Sequence, residues 1–184
     1  MKFKQSLLLI LSISAMLLSA NSYAGRQGIN FYYGVGLGAA APADSDVTAT
    51  GNLMIGLEED GWSIEAVGFG SIESGTDISN VDYSLSGVDV GLAYRTIEKN
   101  GVYYKIKFSS TDLDIDFKNT VTNATSTAET DGNSYTFGMA WRTSRENRVE
   151  LDYTYHNNDD LSDPVHLITL SYLWGGAPYL GKSF

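Results

Sequence analysis

Charged residues sit at alternate positions within several short apolar segments, and these are the places where the sequence could do chemistry. Glu65, Asp89, Glu150 and Asp152 share one class of positions with Arg95, Lys105, Lys107 and Arg142 in the alternation described below. Four acids set against four bases have two uses. Paired in a narrow interior they neutralise one another, whereas any one of them buried alone is a costly charge. Lining an aqueous path, the same residues would select ions. Covalent chemistry finds less support. His156 lies beside Asn157 and Asn158, His166 opens the last apolar segment, and neither has a Ser-His-acid spacing, a metal-ligand cluster or a phosphate loop around it. The acids at Asp44 and Asp46, Glu73 and Asp77, Asp112, Asp114 and Asp116, and Asp159, Asp160 and Asp163 offer the oxygen ligands that hard cations take. None of these runs has the glycine-punctuated spacing of a calcium loop, so a solvated surface is expected there. No catalytic residue, cofactor or metal is expected.

The elements that must position these charges have period two, the signature of a β-strand. Eight segments alternate. In the first, Phe31, Tyr33, Val35 and Leu37 oppose Tyr32 and glycines; in the second, Leu53, Ile55 and Leu57 oppose Asn52, Met54 and Gly56. The third sets Trp62, Ile64 and Ala66 against Ser63 and Glu65, then loses its parity at Val67 to Gly70, where a bulge or glycine kink is expected. The fourth sets Val88, Val90, Leu92 and Tyr94 against Asp89 and Arg95. Tyr83 and Leu85 upstream have the opposite parity, so a second bulge is expected near Ser86 and Gly87. The fifth opposes Val102, Tyr104, Ile106 and Phe108 to Lys105 and Lys107; the sixth, Tyr135, Phe137, Met139 and Trp141 to Thr136 and Arg142. The seventh opposes Val149, Leu151, Tyr153 and Tyr155 to Glu150 and Asp152; the eighth, Ile168, Leu170, Tyr172 and Trp174 to Thr169 and Ser171.

Alternation alone does not say which face is inside. Three other features do. Connectors alternate in length: short turns at 59–61, 98–101 and 144–147, longer loops at roughly 40–48, 71–80, 111–133 and 157–164, as in membrane barrels with short periplasmic turns and long external loops. Trp62, Trp141 and Trp174 all fall at the short-turn end, with Tyr94 on the same face, where amphipathic rings mark a membrane–water boundary. Pro42, Pro164 and Pro178 fall outside the segments, as a closed ladder requires. The expected fold is all-β: a transmembrane antiparallel up-and-down β-barrel of eight strands, spanning 25–174. Eight strands leave an interior only wide enough for side chains, which favours the paired reading of the lumen charges over the channel. The strict alternation of 111–117 is expected to extend the fifth strand into a protruding hairpin.

The amino terminus sets the compartment. Lys2 and Lys4 precede an apolar run from Leu7 to Leu18, and Ser22-Tyr23-Ala24 forms a small-x-small cleavage site, so 1–24 is expected to be a signal peptide removed after Ala24. The apolar run falls short of the roughly 18–20 residues of a membrane span. The chain has 184 residues, no cysteine and a formal charge of −10, and losing Lys2 and Lys4 makes it more acidic still. Nucleic-acid binding, which needs a cationic face, is excluded as an expectation.

Ser134-Tyr135-Thr136-Phe137-Gly138-Met139-Ala140-Trp141-Arg142 resembles the sixth-strand block of the small outer-membrane barrels, the group of opacity-type proteins and the barrel domain of outer membrane protein A. Arg148-Val149-Glu150-Leu151-Asp152-Tyr153-Thr154-Tyr155 resembles the seventh, and Ile168-Thr169-Leu170-Ser171-Tyr172-Leu173-Trp174 the closing strand. The resemblance covers about the last third in detail and implies the bacterial outer membrane, lipid and lipopolysaccharide as surroundings, and the barrel-assembly machinery and periplasmic chaperones as partners in biogenesis. A monomer is expected. It implies no single function, since members serve as adhesins, structural proteins or minor pores. Tyr172 and Trp174 are the expected assembly signal, because Gly175-Gly176-Ala177-Pro178 cannot continue a paired strand, leaving 175–184 as a periplasmic tail ending in Phe184. The expected role is a non-enzymatic barrel acting in adhesion, envelope integrity or environmental interaction through acidic external loops, with a small porin as the alternative. Lipid A deacylases of the same architecture have a rim histidine followed two residues later by a catalytic serine; here Asn158 occupies that place, and an amide is no nucleophile.

Overall fold

The computed structural model describes residues 29–42, 46–77, 81–96, 99–144, 146–158 and 164–175. The expected signal peptide, the tail from 176 onward with Phe184 and Pro178, and Asp44, Asp159, Asp160 and Asp163 lie outside them. Nine strands form one antiparallel sheet: β1 (Asn30–Pro42), β2 (Thr48–Glu59), β3 (Trp62–Ser71), β4 (Gly75–Asp77), β5 (Val81–Arg95), β6 (Val102–Asn119), β7 (Thr125–Arg142), β8 (Asn147–Asn158) and β9 (Val165–Gly175). Each pairs with its sequence neighbours, β3 and β4 excepted, and β1 pairs with β9. Both β3 and β4 pair with β5, so β4 continues the wall begun by β3, and the barrel has eight walls. Among the described residues it is a closed antiparallel barrel without helices, and closure leaves its wall no open edge.

The short turns follow from their residues. Asp60 and Gly61 (φ 51° and 82°) and Asn100 and Gly101 (φ 56° and 80°) have positive φ at both central positions, the two-residue turn that Asn-Gly and Asp-Gly favour. In the second, Lys99 and Val102 exchange both backbone hydrogen bonds (2.8 and 3.1 Å). Between 144 and 147, Ser144 Oγ accepts from the backbone N–H of Glu146 and Asn147.

Along most of the wall the large apolar side chains point outward: Leu37 and Leu53 are each 67 % exposed and Phe137 60 %. A soluble monomer rarely exposes a contiguous apolar patch beyond a few hundred Å²; here the band runs around the barrel while Glu65, Lys105 and Glu150 are buried inside. The solvent of that band is lipid.

Neither expected bulge forms. The register between β3 and β5 runs unbroken from Trp62↔Tyr94 to Gly70↔Ser86, and that between β5 and β6 from Val81↔Asn119 to Arg95↔Lys105. What changes is the chemistry of each face. Towards the long-loop end Val67, Phe69, Tyr83, Leu85, Leu113 and Ile115 point inward and are buried, while Asp112, Asp114 and Asp116 point outward and are exposed. Apolar-out therefore becomes apolar-in with no slip of the backbone, as it must where the wall leaves lipid and enters water. Pro42 also departs from expectation. It is the last residue of β1, opposite Val165, at a strand end, a place that tolerates a residue unable to donate.

Candidate functional site

The lumen is filled in three layers. Nearest the short turns is an ionic layer centred on Arg95 and Glu150. Arg95 donates to Glu150 Oε1 (3.0 Å), to Ser63 Oγ (2.7 Å) and to Glu65 Oε1. Lys105 Nζ reaches Asp152 at 2.6 Å, Glu150 at 2.8 Å and Glu65 at 3.6 Å. Arg148 pairs with Glu58 at 2.9 Å and Glu150 at 3.0 Å. Two phenols close the shell: Tyr32 donates to Glu65 Oε1 (2.6 Å) and Tyr103 to Glu150 Oε1 (3.1 Å). The Arg148 guanidinium also lies 4.4 Å from the Tyr32 ring centre, a cation–π contact. Glycine makes the close approaches possible. A Cβ on Gly56 would enter the Tyr32 ring, and one on Gly138 would meet the Asp152 carboxylate.

The middle layer holds the remaining pair. Lys107 lies 2.5 Å from Asp89, and Ser109 and Thr111 donate to the other Asp89 oxygen (2.6 and 3.2 Å). Thr111 Oγ1 bonds Ser134 Oγ, which bonds His156 Nδ1 at 2.5 Å, and Phe69 stacks on the His156 ring at 5.3 Å. The third layer is an apolar cap of Ala40, Phe69, Tyr83, Leu85, Leu113, Ile115, Val165 and Leu167.

Of the charges singled out in the sequence, Glu65, Arg95, Lys105, Glu150 and Asp152 meet in the ionic layer and Asp89 and Lys107 in the middle one. Arg142 is half-exposed, opposite Arg148, and Arg148, with Glu58, belongs to the cluster. Ser134 and His156 were not foreseen as a pair, because they are 22 residues apart and only the β7–β8 register, Ser134↔His156, brings them together. A serine on a histidine is the start of a nucleophilic dyad. Here, however, the carboxylate of Asp89 is linked to the serine side through Thr111 and not to the second histidine nitrogen, and both residues are at most 1 % exposed beneath the apolar cap.

Outside, the aromatic residues form two rows. At the short-turn end Trp62 packs on Tyr94 (4.9 Å between ring centres), and Trp174 on Tyr33 (5.6 Å) and Tyr172 (4.8 Å); Trp141 lies opposite Val102 and Val149. At the other end Phe108, Tyr135, Tyr155 and His166 follow one another across β6 to β9 at 5.4 to 6.4 Å, with the Tyr153 hydroxyl 2.7 Å from His166 Nδ1. Above that second row β6 and β7 continue as a hairpin. Asp112 stands opposite Asp131 and Asp114 opposite Glu129, all exposed. Burial, the Glu129 carboxylate and the Asp116 carboxylate raise the Asp114 carboxyl above its ordinary range. β8 pairs with β7 only up to Gly132, so among the described residues the Thr125 to Asp131 edge has no strand on its far side.

No family model and no curated protein matches the sequence. The folded chain, by contrast, superposes on several solved outer-membrane barrels. These include Neisserial surface protein A (8 % identity, TM-score 0.59, covering 79 % of this chain and 96 % of that one) and Ail, the attachment invasion locus protein of Yersinia pestis (11 %, 0.57, 80 % and 97 %). Ail has also been solved with the heparin analogue sucrose octasulfate (13 %, 0.55, 80 % and 97 %). OprG of Pseudomonas aeruginosa is similar again (9 %, 0.57, 83 % and 98 %). The fold is that of the small eight-stranded outer-membrane barrels.

Proposed function

We propose that this chain is an integral protein of the bacterial outer membrane, exported by cleavage after Ala24, that carries no catalytic centre and conducts no steady current. It meets its surroundings through the β6–β7 hairpin, in adhesion or another surface contact. Lipid and lipopolysaccharide surround it as a monomer, and the barrel-assembly machinery and periplasmic chaperones insert it, with Tyr172 and Trp174 as the assembly signal. The observation that carries the reading is the hairpin itself. It stands beyond the point where the wall turns from apolar to acidic, and the edge from Thr125 to Asp131 has main-chain donors and acceptors to spare. Such an edge takes an extended peptide as an added strand. Like charges directly opposite one another weaken a sheet, so Asp112, Asp131, Asp114 and Glu129 favour a partner that brings positive charge. A polyanion such as the sucrose octasulfate bound by Ail would meet repulsion on this face. The layered lumen argues against the porin alternative.

The test is to neutralise the exposed face with Asp112→Asn, Asp114→Asn, Glu129→Gln and Asp131→Asn, which keeps the strand registers on both sides of β6. A labelled lysine-rich extended peptide should bind the wild type in lipid nanodiscs, more weakly as salt is raised, and not the neutralised form. Equal binding by both forms, or by neither, would contradict the proposal.

A further inference from the structure

Among the described residues the buried ions of the lumen do not balance. Glu58, Glu65, Asp89, Glu150 and Asp152 are buried against Arg95, Lys105, Lys107 and Arg148, one acid too many. Four of the five are well provided. Glu58 has Arg148 at 2.9 Å and Arg95 at 4.0 Å; Glu65 has Arg95, Tyr32 and Ser63 on Oε1, while its Oε2 accepts no hydrogen bond and has Lys105 at 3.6 Å. Glu150 has Arg95, Lys105, Arg148 and Tyr103, and Asp89 has Lys107, Ser109 and Thr111. Asp152 has only Lys105, on Oδ2, and that ammonium is shared with Glu150 and Glu65. Its Oδ1 has no hydrogen-bond partner although the side chain is 5 % exposed. Asp152 also lines a cavity of about 20 Å³ between the ionic layer and the apolar cap, room for one water molecule.

We propose that Asp152 is a proton-binding site of the lumen: it holds a proton on Oδ1 at neutral pH and donates it to a single water in this cavity. The remaining four carboxylates then match the four buried cations. A buried carboxylate whose one cation is shared with two other acids is the member of the set that neutralises instead of staying charged. A metal cation fits the cavity poorly. Met54, Val67, Phe69 and Leu167 make up much of its wall, Lys107 adds a positive charge, and hard cations want about six oxygen ligands. The groups facing Asp152 are Lys105 and Lys107 from β6, Glu65 from β3, and Asp89 and Arg95 from β5. Glu150 and His156 share its strand, and β2, β7 and β9 present the uncharged Asn52, Thr136 and Thr169. Loss of the proton in alkali leaves one unmatched negative charge sealed between two layers. This inference does not depend on what the hairpin binds.

Infrared spectroscopy of the full chain in lipid tests it. At pH 7 the wild type should show the carbonyl stretch of a protonated carboxylic acid, shifted by ¹³C-labelled aspartate. Asp152→Asn, which imitates the neutral form, should remove that band, match the wild-type urea midpoint in mild acid and exceed it at pH 7. The fall in midpoint expected of the wild type as pH is raised should be absent from the variant. Absence of the band in the wild type, its persistence in Asp152→Asn, or a loss of stability in Asp152→Asn as large as in Glu150→Gln would overturn the proposal. So would a midpoint that follows sodium concentration at constant ionic strength, which would put a metal ion in the cavity instead.

Discussion

Glu150 is the residue on which the ionic layer turns, since two guanidiniums, an ammonium and a phenol all converge on its two oxygens. Removing one member of a buried set leaves the others charged and unmatched, at a cost of about 3–5 kcal/mol. Glu150→Gln and Lys105→Met should each lose about that much in urea unfolding from lipid. The double substitution should lose less than the two together, because contacting sites are coupled; strict additivity would mean the pair does not interact. Position parity alone was enough to nominate Glu65, Arg95, Lys105, Glu150 and Asp152. It could not choose between Arg142 and Arg148, which lie at the same level on neighbouring strands. Nor could it nominate Tyr32 and Tyr103, whose hydroxyls become visible as ligands only once the far wall of the barrel stands opposite them.

The strands were legible wherever lipid lay outside, because there apolar and polar residues alternate cleanly. At the long-loop end the inward residues become apolar, and an uninterrupted strand reads like two strands out of phase. Val67 and Phe69 on β3 and Tyr83 and Leu85 on β5 imitate bulges for this reason alone. At the lipid level, Leu151 points outward between Met139 and Leu170. Leu151→Arg should therefore cost about 2–4 kcal/mol of folding into vesicles if it lies near the bilayer midplane, and a silent substitution would place that face in water. The hairpin should respond to pH with the opposite sign to a salt-bridged acid. The Asp114 carboxyl is raised in the folded chain by burial and then by Glu129 and Asp116, so the folded form binds its proton more tightly than the unfolded one. Its contribution is then most favourable below the unfolded carboxylate range and is lost as pH rises through the raised value. Hydrogen exchange of the backbone amides across the Asp114–Glu129 pair, corrected for intrinsic rates, should show greater protection in mild acid than at pH 7. Asp114→Asn should remove the difference, and equal protection at both pH values in the wild type would contradict it.

At the scale of the whole molecule, one closed sheet serves two solvents. Its lower part is inside-out, with ions within and apolar side chains in lipid; its upper part has an apolar cap within and carboxylates in water. β6 passes through both in a single strand, and because the chain has no cysteine each position can carry one spin label without interference. A nitroxide scan from 102 to 117 in lipid bilayers, reading collisions with oxygen and with a water-soluble nickel chelate, is the most direct test. Labels at 104, 106 and 108 should collide with oxygen and be shielded from nickel, those at 112, 114 and 116 should be open to nickel, and those at 113 and 115 should be shielded from both. Nickel access at 104, 106 and 108 equal to that at 112, 114 and 116 would mean that no boundary crosses the strand, and the account of a membrane barrel would fail.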